Sequence, residues 1–266
     1  MAVALIKEDI DRWFEYGVYP RTRTIYLGGI HGYDHGEDED HLGESGIYWN
    51  TARRMIQSLH LLDSNIDQPI TVVMNSVGGD WQHGMAIYDA IRLSKCHITI
   101  INMSHARSMT SLIFQAADLR IIAPNGYYMI HDGTSGFGGI PRSAINWIQY
   151  EKDVILPKMY SIYLERIKEV DGKGEYKVDI HEAAEILNSK IPDGSKRILP
   201  SRGIEGIKLS HIQALCSQDT IFTPTEMIRL NFVDRMMETG DLVGAYVNPK
   251  MHGLPTGLES LQDEDE

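Results

Sequence analysis

Apolar residues recur along this chain at two periods, and the switches between them outline its elements. Ile70, Val72, Val73 and Met74 are nearly continuous, the pattern of a strand buried on both faces. Residues 98–103 repeat it, and shorter strands are predicted over 24–27, 119–122 and 127–130. Between the strands the spacing becomes helical. Met55, Leu59 and Leu62 share one face of a helix over 47–62, and Gly84, Ile87, Ile91 and Ser94 share one face of the next. Met109, Leu112, Ile113, Ala116 and Ala117 fall at i, i+3, i+4, i+7 and i+8. Strand–helix–strand alternation predicts an α/β fold with mainly parallel strands.

The remaining segments are coarser. The first 20 residues form a short amphipathic start carrying Trp13, Phe14 and Tyr16. Residues 143 to about 170 predict one long helix with Ile148, Ile155, Met159, Ile162 and Tyr163 inward. Residues 171–206 look less regular, with a short helix around 183–187 and a loop holding Pro192, Gly194, Pro200 and Gly203. A helix follows over 209–217. Thr223-Pro224-Thr225-Glu226 then has the form of a helix start: Thr at the cap, Pro first, Glu three after the cap. The last 14 residues predict a solvated acidic tail.

Charge narrows the function. A formal net charge of −12 argues against non-specific binding to nucleic acid or to an anionic membrane. Charge arrives at Lys7, too early for a signal-peptide core, and no run of about 18 apolar residues could span a bilayer. The two cysteines, Cys96 and Cys216, have no CxxC or Cys/His spacing, which fits a reducing, cytoplasmic compartment. His31, His35 and His41 lie among acids, but their spacing matches no closed zinc pattern, so no metal is expected.

Candidate chemistry gathers in the middle third. Ser108 lies between the strand ending near Met103 and the helix starting near Met109. A serine on such a turn can present its hydroxyl at a sheet edge, with the helix N-terminus favouring negative charge. It also fits a plain helix cap. His131 closes a strand before a glycine-rich loop, where a general base could sit, or a histidine bonded only to backbone. Gly78-Gly79 can point N–H groups outward at an oxyanion, or simply form a tight turn.

In order, Asn75-Ser76-Val77-Gly78-Gly79, Gly84-Met85-Ala86-Ile87-Tyr88-Asp89, Ala106-Arg107-Ser108-Met109 and Tyr128-Met129-Ile130-His131 resemble the ClpP family, the proteolytic subunit of the Clp protease. That family shows an Asn-Ser-Pro-Gly-Gly turn, a Gly-Met-x-Ile-Tyr-Asp helix, an Ala-Ser-Met nucleophile turn and a Met-Ile-His base. The resemblance covers roughly residues 24–160 and 207–237. It implies a ClpP/crotonase-like spiral of βαβ units with a long handle helix. One peptidase domain would cover 1–237, with its handle at about 140–207 and an insertion at about 171–206, before a tail over 238–266.

The same resemblance implies a serine endopeptidase with Ser108 as nucleophile, His131 as base and Asp219 as the residue that orients it. Oxyanion donors would be the N–H groups of Gly79 and Met109. Gly133, Thr134, Ser135 and Gly136 would belong to the edge that pairs with an extended peptide. No cofactor is implied. Homo-oligomeric, heptameric rings, pairing into a tetradecamer, are implied.

The chain departs from the family in four ways. Arg107 replaces a small residue, Val77 replaces the turn proline, and residues 28–45 and 171–206 are longer. The strand Thr71-Val72-Val73 lacks the tyrosines that receive a Clp ATPase, and no axial loop is recognisable at the N-terminus. A crotonase-type acyl-CoA enzyme would share the architecture without needing a Ser/His pair, and a ring-forming scaffold would keep the fold without the activity.

Overall fold

The computed structural model describes residues 7–28, 46–64, 68–239 and 241–242. The histidines at 31, 35 and 41, nearly all of the insertion at 28–45 and most of the tail lie outside these residues.

Helix α1 (Lys7–Tyr16) leads into β1 (Val18–Tyr19) and β2 (Thr24–Leu27), which pair antiparallel. Then come α2 (Trp49–Asp63), β3 (Ile70–Ser76), α3 (Trp81–Leu93), β4 (Ile98–Arg107) and α4 (Met109–Phe114). β5 (Leu119–Ile122) and β6 (Tyr127–Ile130) follow. The main path of the sheet is β1-β2-β3-β4-β5, closed by β8 (Arg235–Met236), and every pair after β1–β2 along it is parallel. The apolar runs of β3 and β4 occupy the two central places, where Ile70, Val72, Met74, Ile98 and Ile100 are fully buried.

A turn closed by Gly126 N to Ala123 O joins β5 to β6, but the two strands do not form a hairpin. Both lie parallel to β4, β5 along Thr99–Asn102 and β6 further on, along His105–Arg107. The sheet therefore turns a corner at the end of β4, and β7 (Thr220–Phe222) pairs antiparallel with β6 on the new edge. This corner brings the end of β6 level with the end of β4.

The predicted long helix is present as α5 (Pro141–Tyr150), a π turn (Glu151–Ile155) and α6 (Leu156–Ile167). Pro157, the second residue of α6, cannot donate to the preceding turn, and the π turn ends two residues before it. Met159, Ile162 and Tyr163 are inward as expected, but Ile148 is 53% exposed and Ile155 only half-buried. The stripe is continuous; what changes along it is the presence of a neighbour, because α5 runs past the end of the core. The 171–206 segment is also more ordered than its composition suggested. α7 (Ile180–Lys190) is capped by Asp179 and buries Ala183, Ala184, Ile186 and Leu187, and the two alanines blur the helical period in the sequence. Ser94 follows α3 as its C-cap rather than lying on its face.

α8 (Leu209–Cys216) packs on α6, and α9 (Pro224–Arg229) starts at the predicted Thr223–Glu226 capping box. Behind α4, Tyr128, Tyr163, Phe222 and Phe232 form a buried aromatic cluster. Its polar tips are used: Tyr128 Oη donates to Ser111 O at 2.8 Å and receives Gln115 Nε2 at 2.9 Å. Arg120, almost wholly buried, grips Asp234 with Nε and Nη2 and also donates to Gln115 Oε1 and Asn231 O. These contacts fix α4, and with it the residue just before it.

Candidate active site

β4 runs on to Arg107, four residues beyond the predicted strand end, so Ser108 is the single residue joining strand to helix. Its backbone is at φ 53°, ψ −127°, a region that non-glycine residues rarely occupy. Two bonds impose it: Ser108 N donates to Met129 O at 3.0 Å, and Ser111 N donates back to Ser108 O at 3.0 Å. The Ser108 side chain makes no capping bond to α4. The plain helix-cap role for this serine therefore fails. It stands instead on a strained elbow between strand and helix.

Gly78-Gly79 lies against this elbow. Gly78 has φ 101°, and a Cβ on it would stand 2.6 Å from both Arg107 O and Ser108 Cβ. Gly79 is held to Ile47 by a parallel bridge, through Ile47 N to Gly78 O and Asp80 N to Ile47 O. Met109 opens α4, so its N–H has no acceptor within the helix. Gly84 leaves room for the Met109 side chain: a Cβ there would fall 2.0 Å from Met109 Cγ.

His131 stands one residue past the end of β6. Its Nδ1 is 2.9 Å from Asp219 Oδ1, and Asp219 immediately precedes β7, the strand paired with β6. The Asp219 side chain is 71% exposed and that of His131 24%. The Nε2 atom of His131 is buried and takes no hydrogen bond from the protein.

Ser108, His131, Gly79 and Met109 line one cleft of about 670 Å³, and Gly133, Thr134, Ser135 and Gly136 line its side. Every predicted site residue except Asp219 reaches this cleft, and Asp219 reaches it through His131. Arg107 does not line it, so the charge beside the serine stays out of the cleft. Residues 133–138 belong to no strand. Among the described residues no backbone hydrogen bond joins them to the rest of the chain, which leaves an open edge.

Several lining residues were not anticipated from the sequence. Leu112, Ile155, Leu156 and Met159 give the cleft an apolar floor, although the periodicity places Leu112, Ile155 and Met159 on inward stripes as ordinary core. Asp132 and Glu151 bring carboxylates. Burial raises the Asp132 carboxyl, while a hydrogen bond from Tyr160 and the nearby His131 pull it down and Glu151 pushes it up. Adjacency to His131 was a signal for Asp132. None existed for Glu151 or Tyr160, which arrive from a helix far along the chain. No group of three or more His, Cys, Asp or Glu residues among those described could hold a metal.

The chain is similar to known proteins. The Clp protease family model matches residues 42–169, which include Ser108 and His131 but not Asp219. The ATP-dependent Clp protease proteolytic subunit of Deinococcus radiodurans is 40% identical over 91 residues, 33% of this chain and 45% of that protein. The ATP-dependent Clp protease proteolytic subunit 2 of Pseudomonas aeruginosa is 33% identical over 115 residues, 42% of this chain and 56% of that protein. The chain thus spans about half the length of the curated relatives it matches. Among solved structures, a ClpP1 point mutant from Listeria monocytogenes superposes with a TM-score of 0.54 at 20% identity, over 83% of this chain and 94% of that one. That likeness establishes the ClpP/crotonase-like fold.

Proposed function

Because the chain belongs to the Clp protease family, we propose that it is a serine endopeptidase acting on peptides or unfolded proteins, with Ser108, His131 and Asp219 as its catalytic triad. One observation carries this reading. The imidazole is held by Asp219 at Nδ1 and leaves Nε2 buried and unpartnered, in the cleft that the strained Ser108 lines. Nδ1–H donates to the Asp219 carboxylate, so Nε2 is the free base.

Chemistry follows from these positions. Ser108 Oγ attacks the scissile carbonyl carbon as its proton passes to His131 Nε2. Asp219 stabilises the imidazolium that forms. The carbonyl oxygen, now an anion, is received by the N–H groups of Gly79 and Met109, the second backed by the α4 N-terminus. The imidazolium then gives its proton to the leaving amine, and water, deprotonated by the same His131, releases the acyl group from Ser108. The open edge at 133–136 takes the peptide in extended form, and the apolar floor takes its side chains. A crotonase-type reaction would leave the Ser108–His131–Asp219 arrangement without a use.

Assembly belongs to the same proposal. Ile140, Ile145, Trp147, Ile148 and Val154 leave an exposed apolar face on and beside α5, surface that a subunit interface would cover. A closed heptameric ring, single or stacked, is the assembly the family implies. Thr71 and Val73, which stand in place of the docking tyrosines, are buried within the sheet, so a Clp-type ATPase should find no aromatic pocket there. Short peptides should therefore be cut without ATP. The test is hydrolysis of a fluorogenic peptide by the wild type and by Ser108→Ala. Loss of all hydrolysis in the variant is expected, and equal hydrolysis would overturn the proposal.

A further inference from the structure

The segment that carries the base and the substrate edge is poorly held by its own backbone. After Ile130 the β6 ladder stops, Gly133 has φ 78°, and a Cβ at Gly136, Gly138 or Gly139 would meet nothing within 4 Å. Such a segment samples many conformations unless side chains restrain it. Asp219 alone is a weak restraint on the imidazole, because water reaches most of that carboxylate.

Two restraints reach it from the helix over 141–167. Tyr160, a buried residue of α6, donates its hydroxyl to Asp132 Oδ1 at 2.7 Å, and Asp132 N donates to Cys216 O at 2.7 Å. Asp132 is thereby fixed at both side chain and backbone, one residue from the base. Burial and the Asp132 carboxylate both raise the Tyr160 phenol, so it keeps its proton and donates at any working pH. Further along, Ser135 Oγ donates to Glu151 Oε1 at 2.6 Å, and Glu151 is the first residue of the π turn. The two ties are independent, and they bracket the glycine between them.

We propose that Tyr160 and Glu151 are positioning residues with separate duties: Tyr160 fixes the base through Asp132, and Glu151 fixes the substrate edge through Ser135. The proposal rests on the peptidase reading for its kinetic form. A misplaced base slows the chemical step, so it lowers kcat. A loosened edge must be ordered by the peptide when it binds, so it raises KM.

The experiment is steady-state kinetics on a fluorogenic peptide, joined to hydrogen exchange of peptic fragments. Tyr160→Phe and Asp132→Asn should each lower kcat about tenfold with KM within about twofold. Their double variant should be no slower than the worse single one, since Tyr160→Phe removes the same contact that Asp132→Asn, whose amide oxygen still accepts, only weakens. Glu151→Gln and Ser135→Ala should raise KM about fivefold with kcat within about twofold. Exchange should quicken around 131–133 in Tyr160→Phe and around 134–138 in Glu151→Gln, whether or not the protein cleaves anything. This second measurement separates failure of the positioning idea from failure of the peptidase reading. If Asp132→Asn does not fold, Tyr160→Phe, which loses only one oxygen, carries the first half. The proposal is overturned if Tyr160→Phe and Glu151→Gln change the same constant, if Tyr160→Phe and Asp132→Asn act additively, or if neither alters exchange in its own stretch.

Discussion

Replacing Asp219 by Asn measures how much an exposed carboxylate can contribute to a base. The contact at stake is one charge-assisted hydrogen bond, Asp219 Oδ1 to His131 Nδ1 at 2.9 Å. Such bonds contribute about 1.5–3 kcal/mol, and each 1.4 kcal/mol or so is a factor of ten in rate. The full range is therefore roughly tenfold to 150-fold in kcat. The Asp219 side chain is 71% exposed, so solvent screens it and the lower part of that range applies, roughly 10- to 30-fold. An asparagine amide can also donate to Nδ1 and hold the wrong tautomer, so Asp219→Ala is the companion variant and should lose a similar amount. The assay is steady-state hydrolysis of a short fluorogenic peptide at neutral pH, with thermal unfolding as the control. KM should hardly move. Activity within twofold of wild type in both variants would refute Asp219 as the orienting residue.

Three further outcomes follow from the same geometry. Gly78→Ala should abolish measurable hydrolysis and lower the melting temperature in a thermal scan, because its Cβ would meet Arg107 O and Ser108 Cβ at 2.6 Å with φ at 101°. Arg120→Ala should destabilise the fold by about 3–5 kcal/mol in urea titration, since it strands the partly buried Asp234 carboxylate and leaves Gln115 and Asn231 oxygens unpaired. For Glu169, burial alone would raise the carboxyl, but bonds from Lys177 and Arg166 outweigh it and lower the value from 4.5 to about 2. Its stabilising effect is therefore present above pH 4.5 and lost as pH falls towards about 2, so the urea-midpoint deficit of Glu169→Gln should be largest at neutral pH and shrink across that window.

The elements that could be read from the sequence were those whose pattern had one cause. β3 and β4 are buried on both faces, and a short unbroken apolar run between turn residues fits little besides a central parallel strand. The Thr223 capping box is likewise local, and it appears as written. Elements that depend on a distant neighbour were harder. The apolar stripe of the long helix continues through Ile148, but whether a stripe is buried depends on what lies opposite, and nothing in the described residues covers α5. α7 was underestimated because its buried face is made partly of alanine, which carries little periodic contrast. In the site, the placing of Ser108 and His131 at strand ends was legible, but strand ends alone left their roles open, and only the four motifs taken together singled them out. The sheet corner that places β6 beyond β5 on β4, and so brings the ends of β4 and β6 level, was not, because it depends on register alone.

That Ser108 is a nucleophile activated by His131 is tested most directly by intact-mass measurement and peptide mapping after incubation with a fluorophosphonate probe. One adduct per chain is predicted, on Ser108, abolished in Ser108→Ala and slowed at least about a hundredfold in His131→Ala, with both variants folded. Labelling at another serine, or labelling of Ser108 at the same rate without His131, would contradict it.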